Sequence, residues 1–223
     1  MSMIHSLLNK VVNIEISGEK RHTGILIDYG RDMLVVYNGM NFIYFPTHHI
    51  QNIRANDKPE EEITSPSDTQ YESEPNLSYR KVLLNARGQF LEVYISGQLS
   101  LHGYVTAIMN NYFVFYSPVY KTIYIPMYHL KWLIPYPTEQ TPFSIDRERL
   151  PVSPSIVPLA RTFEEQLDKL IGEIIVFDLG VNPNKIGLLS SIEDHYVELV
   201  IGKGERFILN MHHIKSVHSP KQL

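Results

Sequence analysis

Histidine and tyrosine are the side chains of this sequence whose spacing invites a chemical reading. His49, His129 and His213 each stand directly before an aliphatic residue, in "YFPTHHI", "YIPMYHL" and "FILNMHHI", with His48, Tyr128 and His212 one place earlier. An imidazole can ligate a metal, carry a proton or bond to a neighbouring carbonyl. Three imidazoles brought to one point would suit zinc or another transition metal. No HxxxH pair and no cysteine supports such a centre, and polar side chains at such positions commonly stabilise turns. The six residues are therefore read as a candidate interaction surface, with no metal, cofactor or catalytic residue assigned.

What positions them is a unit written three times. Gly24, Gly103 and Gly187 open "GILIDYGRDMLVVY", "GYVTAIMNNYFVFY" and "GLLSSIEDHYVELV", and the three stretches align without a gap. Upstream, "VVNIEISG", "FLEVYISG" and "EIIVFDLG" alternate apolar residues with others and end in glycine, as a half-buried strand entering a turn would. Downstream, Pro46, Pro126 and Asn210 stand four residues before Ile50, Leu130 and Ile214, and three further residues reach Ile53, Leu133 and Val217. Proline ends ladder pairing because it has no N–H to donate. A single tight helical turn is expected there, leading into a closing strand. Ahead of the third unit, "TFEEQLDKLIGE" predicts a helix capped by Thr162 and Glu165, with Phe163, Leu167, Leu170 and Ile171 on one face and Gly172 as its stop. "YRKVLLNARG" and "IHSLLNK" are weaker counterparts.

About five short strands per unit, without long alternating helices, predict a mainly β protein of three tandem small antiparallel barrels of Sm-like or SH3-like type, each preceded by a short helix. The boundaries read as a first barrel over 1–55, an acidic flexible linker over 56–76, a second barrel over 77–135, a proline-rich linker over 136–160 and a third barrel over 161–219. Nine of the fourteen prolines fall within Asn56 to Pro75 and Pro135 to Arg161, which marks those stretches as boundaries. Barrels this small bury little of their surface. Contacts between the units are expected, including strand pairing that covers their edges.

The net charge of −4 is uneven, since Asn56 to Pro75 alone carries −6 and leaves the remainder near +2. That balance disfavours a general nucleic-acid binder. Without cysteine there are no disulfides or thiolate sites. No secretory signal and no membrane-spanning run is legible. No GxSxG, P-loop, dinucleotide fingerprint or HExxH occurs. "EEE" at Glu60–Glu62 and "DRER" at Asp146–Arg149 lie in connectors and read as solvated charge.

Taken together, the helix, strand, glycine turn, "DHYVEL" segment and "HHIKSV" ending, three times over, resemble the N-terminal repeat region of spore coat protein B and its relatives in spore-forming Bacillus-type bacteria. "FILNMHHIKSVHS" and "TFEEQLDKLIG" carry the likeness best. This chain departs from that pattern in its first long loops, "SGEKRH", "SGQLSLH" and "GVNPNK", where the family often has a "GGPES" type turn. It also stops at "SPKQL" where members can carry a serine- and lysine-rich tail. The resemblance implies a non-catalytic structural protein of the spore coat or outer spore layer, synthesised in the cytoplasm, with other coat proteins or further copies of itself as partners. The competing expectation is a cytosolic Sm-like RNA-binding regulator, against which stand basic residues not clustered among the aromatics.

Overall fold

The computed structural model describes residues 3–59, 62–67, 71, 73, 75–95, 100–137, 142–145 and 158–220. Glu60, Glu61, the Asp146–Arg149 run, most of the proline-rich connector and part of the acidic one lie outside the described residues. Two compact units are present: Met1–Ala86 with Leu91–Ser100 and Leu130–Pro137, and Arg87–Phe90 with Leu101–His129 and Thr138–Leu223.

The first repeat supplies strands β1 (Val11–Ile16), β2 (Lys20–Tyr29), β3 (Met33–Tyr37), β4 (Phe42–Pro46) and β5 (Ile50–Ala55). Helix α1 (Tyr79–Asn85) precedes the second, with β6 (Phe90–Tyr94), β7 (Ser100–Ile108), β8 (Tyr112–Ser117), β9 (Lys121–Pro126) and β10 (Trp132–Pro135). Helix α2 (Phe163–Asp168) precedes the third, with β11 (Ile174–Phe177), β12 (Ile186–Glu193), β13 (Tyr196–Val200), β14 (Arg206–Asn210) and β15 (Val217–His218). The first repeat has only a 3-10 turn, Ile4–Leu7, where the others have an α-helix.

Alternation sets the faces. In β1 every second residue, Val12, Ile14 and Ile16, is buried, which is what a strand with one face on a core requires. The anchor glycine within each second strand is there for space. A Cβ on Gly24, Gly103 or Gly187 would fall 2.5, 2.0 or 2.3 Å from the carbonyl oxygen of Tyr37, Tyr116 or Val200, the equivalent residue in each repeat. Just after it each strand carries a bulge, between Leu26 and Asp28, Val105 and Ala107, and Leu189 and Ser191. A bulge bends its strand and increases the local twist, so the periodic bend is a property of the repeat.

The expected tight turn is present in all three repeats as Thr47–His49, Met127–His129 and Met211–His213. Asn210 replaces proline in the third and solves the same problem differently, its side-chain oxygen accepting the His212 N–H at 2.9 Å. The predicted capping box of α2 also forms, Thr162 Oγ1 accepting from Glu165 N and Glu165 Oε2 accepting from Thr162 N. Ile171, expected on the packed face, is 44% exposed because α2 ends at Asp168, one turn sooner than its apolar pattern.

Closure into three barrels is not what forms. Within the first unit the strands run β6-β10-β4-β3-β2-β1-β5, and within the second β14-β13-β12-β11-β15-β9-β8-β7. The strand order of the first repeat, 4-3-2-1-5, recurs in the third, but among the described residues no ladder joins a fourth strand to the fifth strand of its own repeat. The outer edge of β4 instead receives β10, Tyr44 opposite Leu133, and that of β9 receives β15, Tyr124 opposite Val217. The last strand of one repeat thus pairs with the fourth strand of the repeat before it. Small barrels have unpaired edges and thin cores, and pairing between repeats relieves both deficits at once.

Candidate interaction surface

The aligned histidines occupy three different environments. His49 is buried, its Nδ1 3.0 Å from Ser17 Oγ while its carbonyl accepts from Ser17 N at 2.9 Å. His48 lies exposed beside it, rings 4.4 Å apart and 6.1 Å from Tyr79. His129 is half-buried with Nε2 3.0 Å from the His212 carbonyl; burial outweighs that bond and lowers its pKa. Tyr128, His212 and His213 are exposed, with the His212 ring tilted 41° against that of His195 at 5.2 Å. His49 belongs to the first compact unit and His129 and His213 to the second. No group of three or more His, Cys, Asp or Glu side chains is placed to hold a metal ion among the described residues.

The organised chemistry lies instead where one repeat meets the next. In the first unit, Trp132 of β10 stacks on Tyr94 of β6, centroids 3.7 Å apart and 9° from parallel. These two rings fill the first repeat's own core, with Val12, Ile14, Leu26, Val36 and Phe45. His22 is wedged against them, 4.8 Å from Trp132 and 4.9 Å from Phe45. Desolvation there, with Lys20 nearby, lowers the His22 pKa to about 4. Lys131 Nζ completes the junction by donating to the Ser17 carbonyl at 2.6 Å.

The second unit builds its junction from a helix and a phenol. Phe163 and Leu167 of α2 share a core with Tyr112, Val114 and Tyr124 of the second repeat and Ile175, Phe177 and Val217 of the third. Tyr112 OH donates to the Ala160 carbonyl at 2.8 Å and sits 3.0 Å from Gln166 Oε1, and burial pushes its pKa up to about 12. His218, next to Val217 on β15, is also buried, its pKa lowered by desolvation.

One device is common to both junctions. Asp32 Oδ1 accepts the Tyr79 N–H at 2.8 Å, and Asn111 Oδ1 accepts the Phe163 N–H at 2.8 Å. Both acceptors stand eight residues after the anchor glycine, and both donors are the first residue of the next helix. The first and second repeats therefore each bind the N-terminal N–H of the helix that follows. Sequence reasoning missed Asp32, Asn111, His22 and Trp132. The register of the repeats held a signal for the first two, since they align, but a helix in one repeat gives no sign that its cap belongs to another.

Part of the acidic connector also packs on the first repeat. Tyr71 OH and Ser73 Oγ donate to Asp28 Oδ2 at 2.9 and 3.1 Å, and the Tyr71 ring lies 5.3 Å from Phe42. On the same unit, Asn13, Glu15, Arg21, Thr23, Asn52 and Arg54 line a polar recess of about 340 Å³. Within it Asn52 donates to Glu15 and Thr23 to Asn13, each at 2.8 Å. Among the described residues no helix is long and apolar enough to cross a membrane.

Comparison with known proteins places this arrangement in context. Residues 162–217 match the family described as the YwrJ third domain. The chain is 28% identical over 152 residues to spore coat protein B of Bacillus subtilis (strain 168), a match spanning 67% of this chain and 38% of that protein. It is 44% identical over 227 residues to the uncharacterized protein YwrJ of the same strain, covering 99% of this chain and all of YwrJ. A likeness of that extent, from one end to the other, makes the chain a member of the YwrJ family.

Proposed function

We infer that this protein is a non-catalytic structural component of the spore coat or outer spore layer, acting through several protein–protein contacts displayed on one chain. The observation that carries the reading is the 152-residue likeness to spore coat protein B. The design of the repeats supports it. The first and second repeats each present a strand edge, a helix-capping carboxylate or amide and an aromatic face, and the chain uses these to bind its own next repeat. Similar surfaces repeated on one chain strengthen attachment without any single tight contact. Other coat proteins are the partners this reading calls for.

Cell fractionation tests it. The protein is expected in the extractable coat of purified spores and absent from vegetative cytosol. Recovery from growing cells with bound RNA that is released as salt rises would replace this reading with the Sm-like RNA-binding one.

A further inference from the structure

Two strand edges are left over by the pairing rule that joins the repeats. Among the described residues β5 pairs only with β1, and β14 pairs only with β13. β5 is the fifth strand of the first repeat and β14 the fourth strand of the third, and among the described residues no ladder covers the outer edge of either. The residues that meet at the internal junctions are Tyr44 with Leu133 and Tyr124 with Val217. The equivalent positions on the two spare edges are Ile208 on β14 and Ile53 on β5.

The surfaces around those edges carry the marks of an interface without its partner. Tyr124 is buried, while its counterpart Ile208 is 71% exposed. Met33 and Tyr112, at the start of β3 and β8, are fully buried; their counterpart Tyr196 is 50% exposed. At the other end, Tyr79 and Phe163 open helices that bury them, whereas Met3, just before the 3-10 turn that leads into the first repeat, is 89% exposed. The one charge on the β14 strand, Arg206, is neutralised by Glu198 through contacts of 3.0 and 3.1 Å. An edge strand reading Phe207-Ile208-Leu209, without a free charge, lacks the devices by which proteins keep edges unpaired.

We propose that β14 of one copy accepts β5 of a second copy, Ile208 opposite Ile53, in the same antiparallel pairing that joins consecutive repeats, with the second copy's Met3 segment covering Tyr196. The occupant is a second copy because the missing piece is the piece the first repeat holds spare. Such a contact is head-to-tail, so it generates a ring where the rotation closes and a filament where it does not. The inference deepens the structural reading above and rests on it only for its biological setting.

The test uses the full chain. Sedimentation across a concentration series is expected to show wild-type protein growing from the 25.8 kDa monomer into multiples of it. Ile208→Lys is expected to remain monomeric with an unchanged circular dichroism spectrum, since the side chain it replaces is exposed. The sequence has no cysteine, so register is read directly: Ile53→Cys and Ile208→Cys proteins, mixed and mildly oxidised, are expected to link one to one. A wild-type chain that stays monomeric at about 100 μM, where even micromolar association would be saturated, overturns the proposal. So does self-association that Ile208→Lys leaves intact, or a cysteine pair that fails to link. A monomer found in the spore coat would defeat this proposal alone, and a self-associating protein confined to vegetative cytosol would defeat only the coat reading.

Discussion

The two junctions do the same job with different chemistry. In the first unit the joint is aromatic and apolar: Trp132 on Tyr94, with His22 and Phe45 against them. In the second, the corresponding strand pairing is backed by a capped helix and by Tyr112, whose hydroxyl reaches the Ala160 carbonyl and Gln166. Backbone pairing and a cap on the next helix are common to both, and the side chains that fill the space behind them are not. The repeat thus preserves the hydrogen-bonding frame while its packing drifts, because a ladder demands matched N–H and C=O groups whereas a core accepts any filling of the right volume.

Breaking the first junction is expected to have the largest effect. Trp132→Ala empties the centre of an aromatic cluster and is expected to cost about 3–5 kcal/mol in urea unfolding followed by circular dichroism. Acid should also discriminate between the joints. The folded pKa of His22 is about 4 against 6.5 unfolded, so the unfolded state binds the proton more readily and stability is lost as pH falls from 6.5 towards 4. The melting temperature is expected to drop over that window and the drop to be shallower in His22→Gln. His129 and His218, also lowered by burial, contribute the same sign, so the slope should persist in part. At the second junction, Tyr112→Phe takes the phenol donor from the Ala160 carbonyl, while Gln166 Oε1 keeps the Ala160 N–H at 2.8 Å, and is expected to cost about 1–3 kcal/mol in the same unfolding assay.

Two smaller changes sharpen the comparison. Asp32→Ala and Asn111→Ala remove equivalent caps and are each expected to cost about 0.5–2 kcal/mol. Equal losses by thermal melting would show the cap to be the shared element of both joints; a loss confined to one would show that its packing had made the cap redundant. Smallest are the histidines. His49→Ala loses the Ser17 contact and is expected to cost about 1 kcal/mol, while His213→Ala, exposed, should stay within about 0.5 kcal/mol of wild type.

How much was legible follows from which interactions are local. The threefold repeat, its strands and its tight turn could be read from spacing, because strand alternation and proline chemistry act over a few residues. The α2 capping box could be read for the same reason, Thr162 and Glu165 being three residues apart. His49, His129 and His213 take the same place in the tight turn and differ in environment, since burial depends on what packs over the turn. His49 is covered and His213 is open, although the letters around them are nearly the same.

The sequence by itself determined a unit of about five strands with an anchor glycine and a tight turn before the last strand; the carbonyl that leaves no room for a Cβ at that glycine, and the bulge after it, came from the structure. Only the tertiary structure decided which edges those strands would satisfy. A fourth strand can pair with the fifth strand of its own repeat or with that of the next, and the local pattern is identical in both cases. The choice is made by long-range packing, by Trp132 entering the first repeat's core and by Asp32 and Asn111 capping helices that lie dozens of residues downstream.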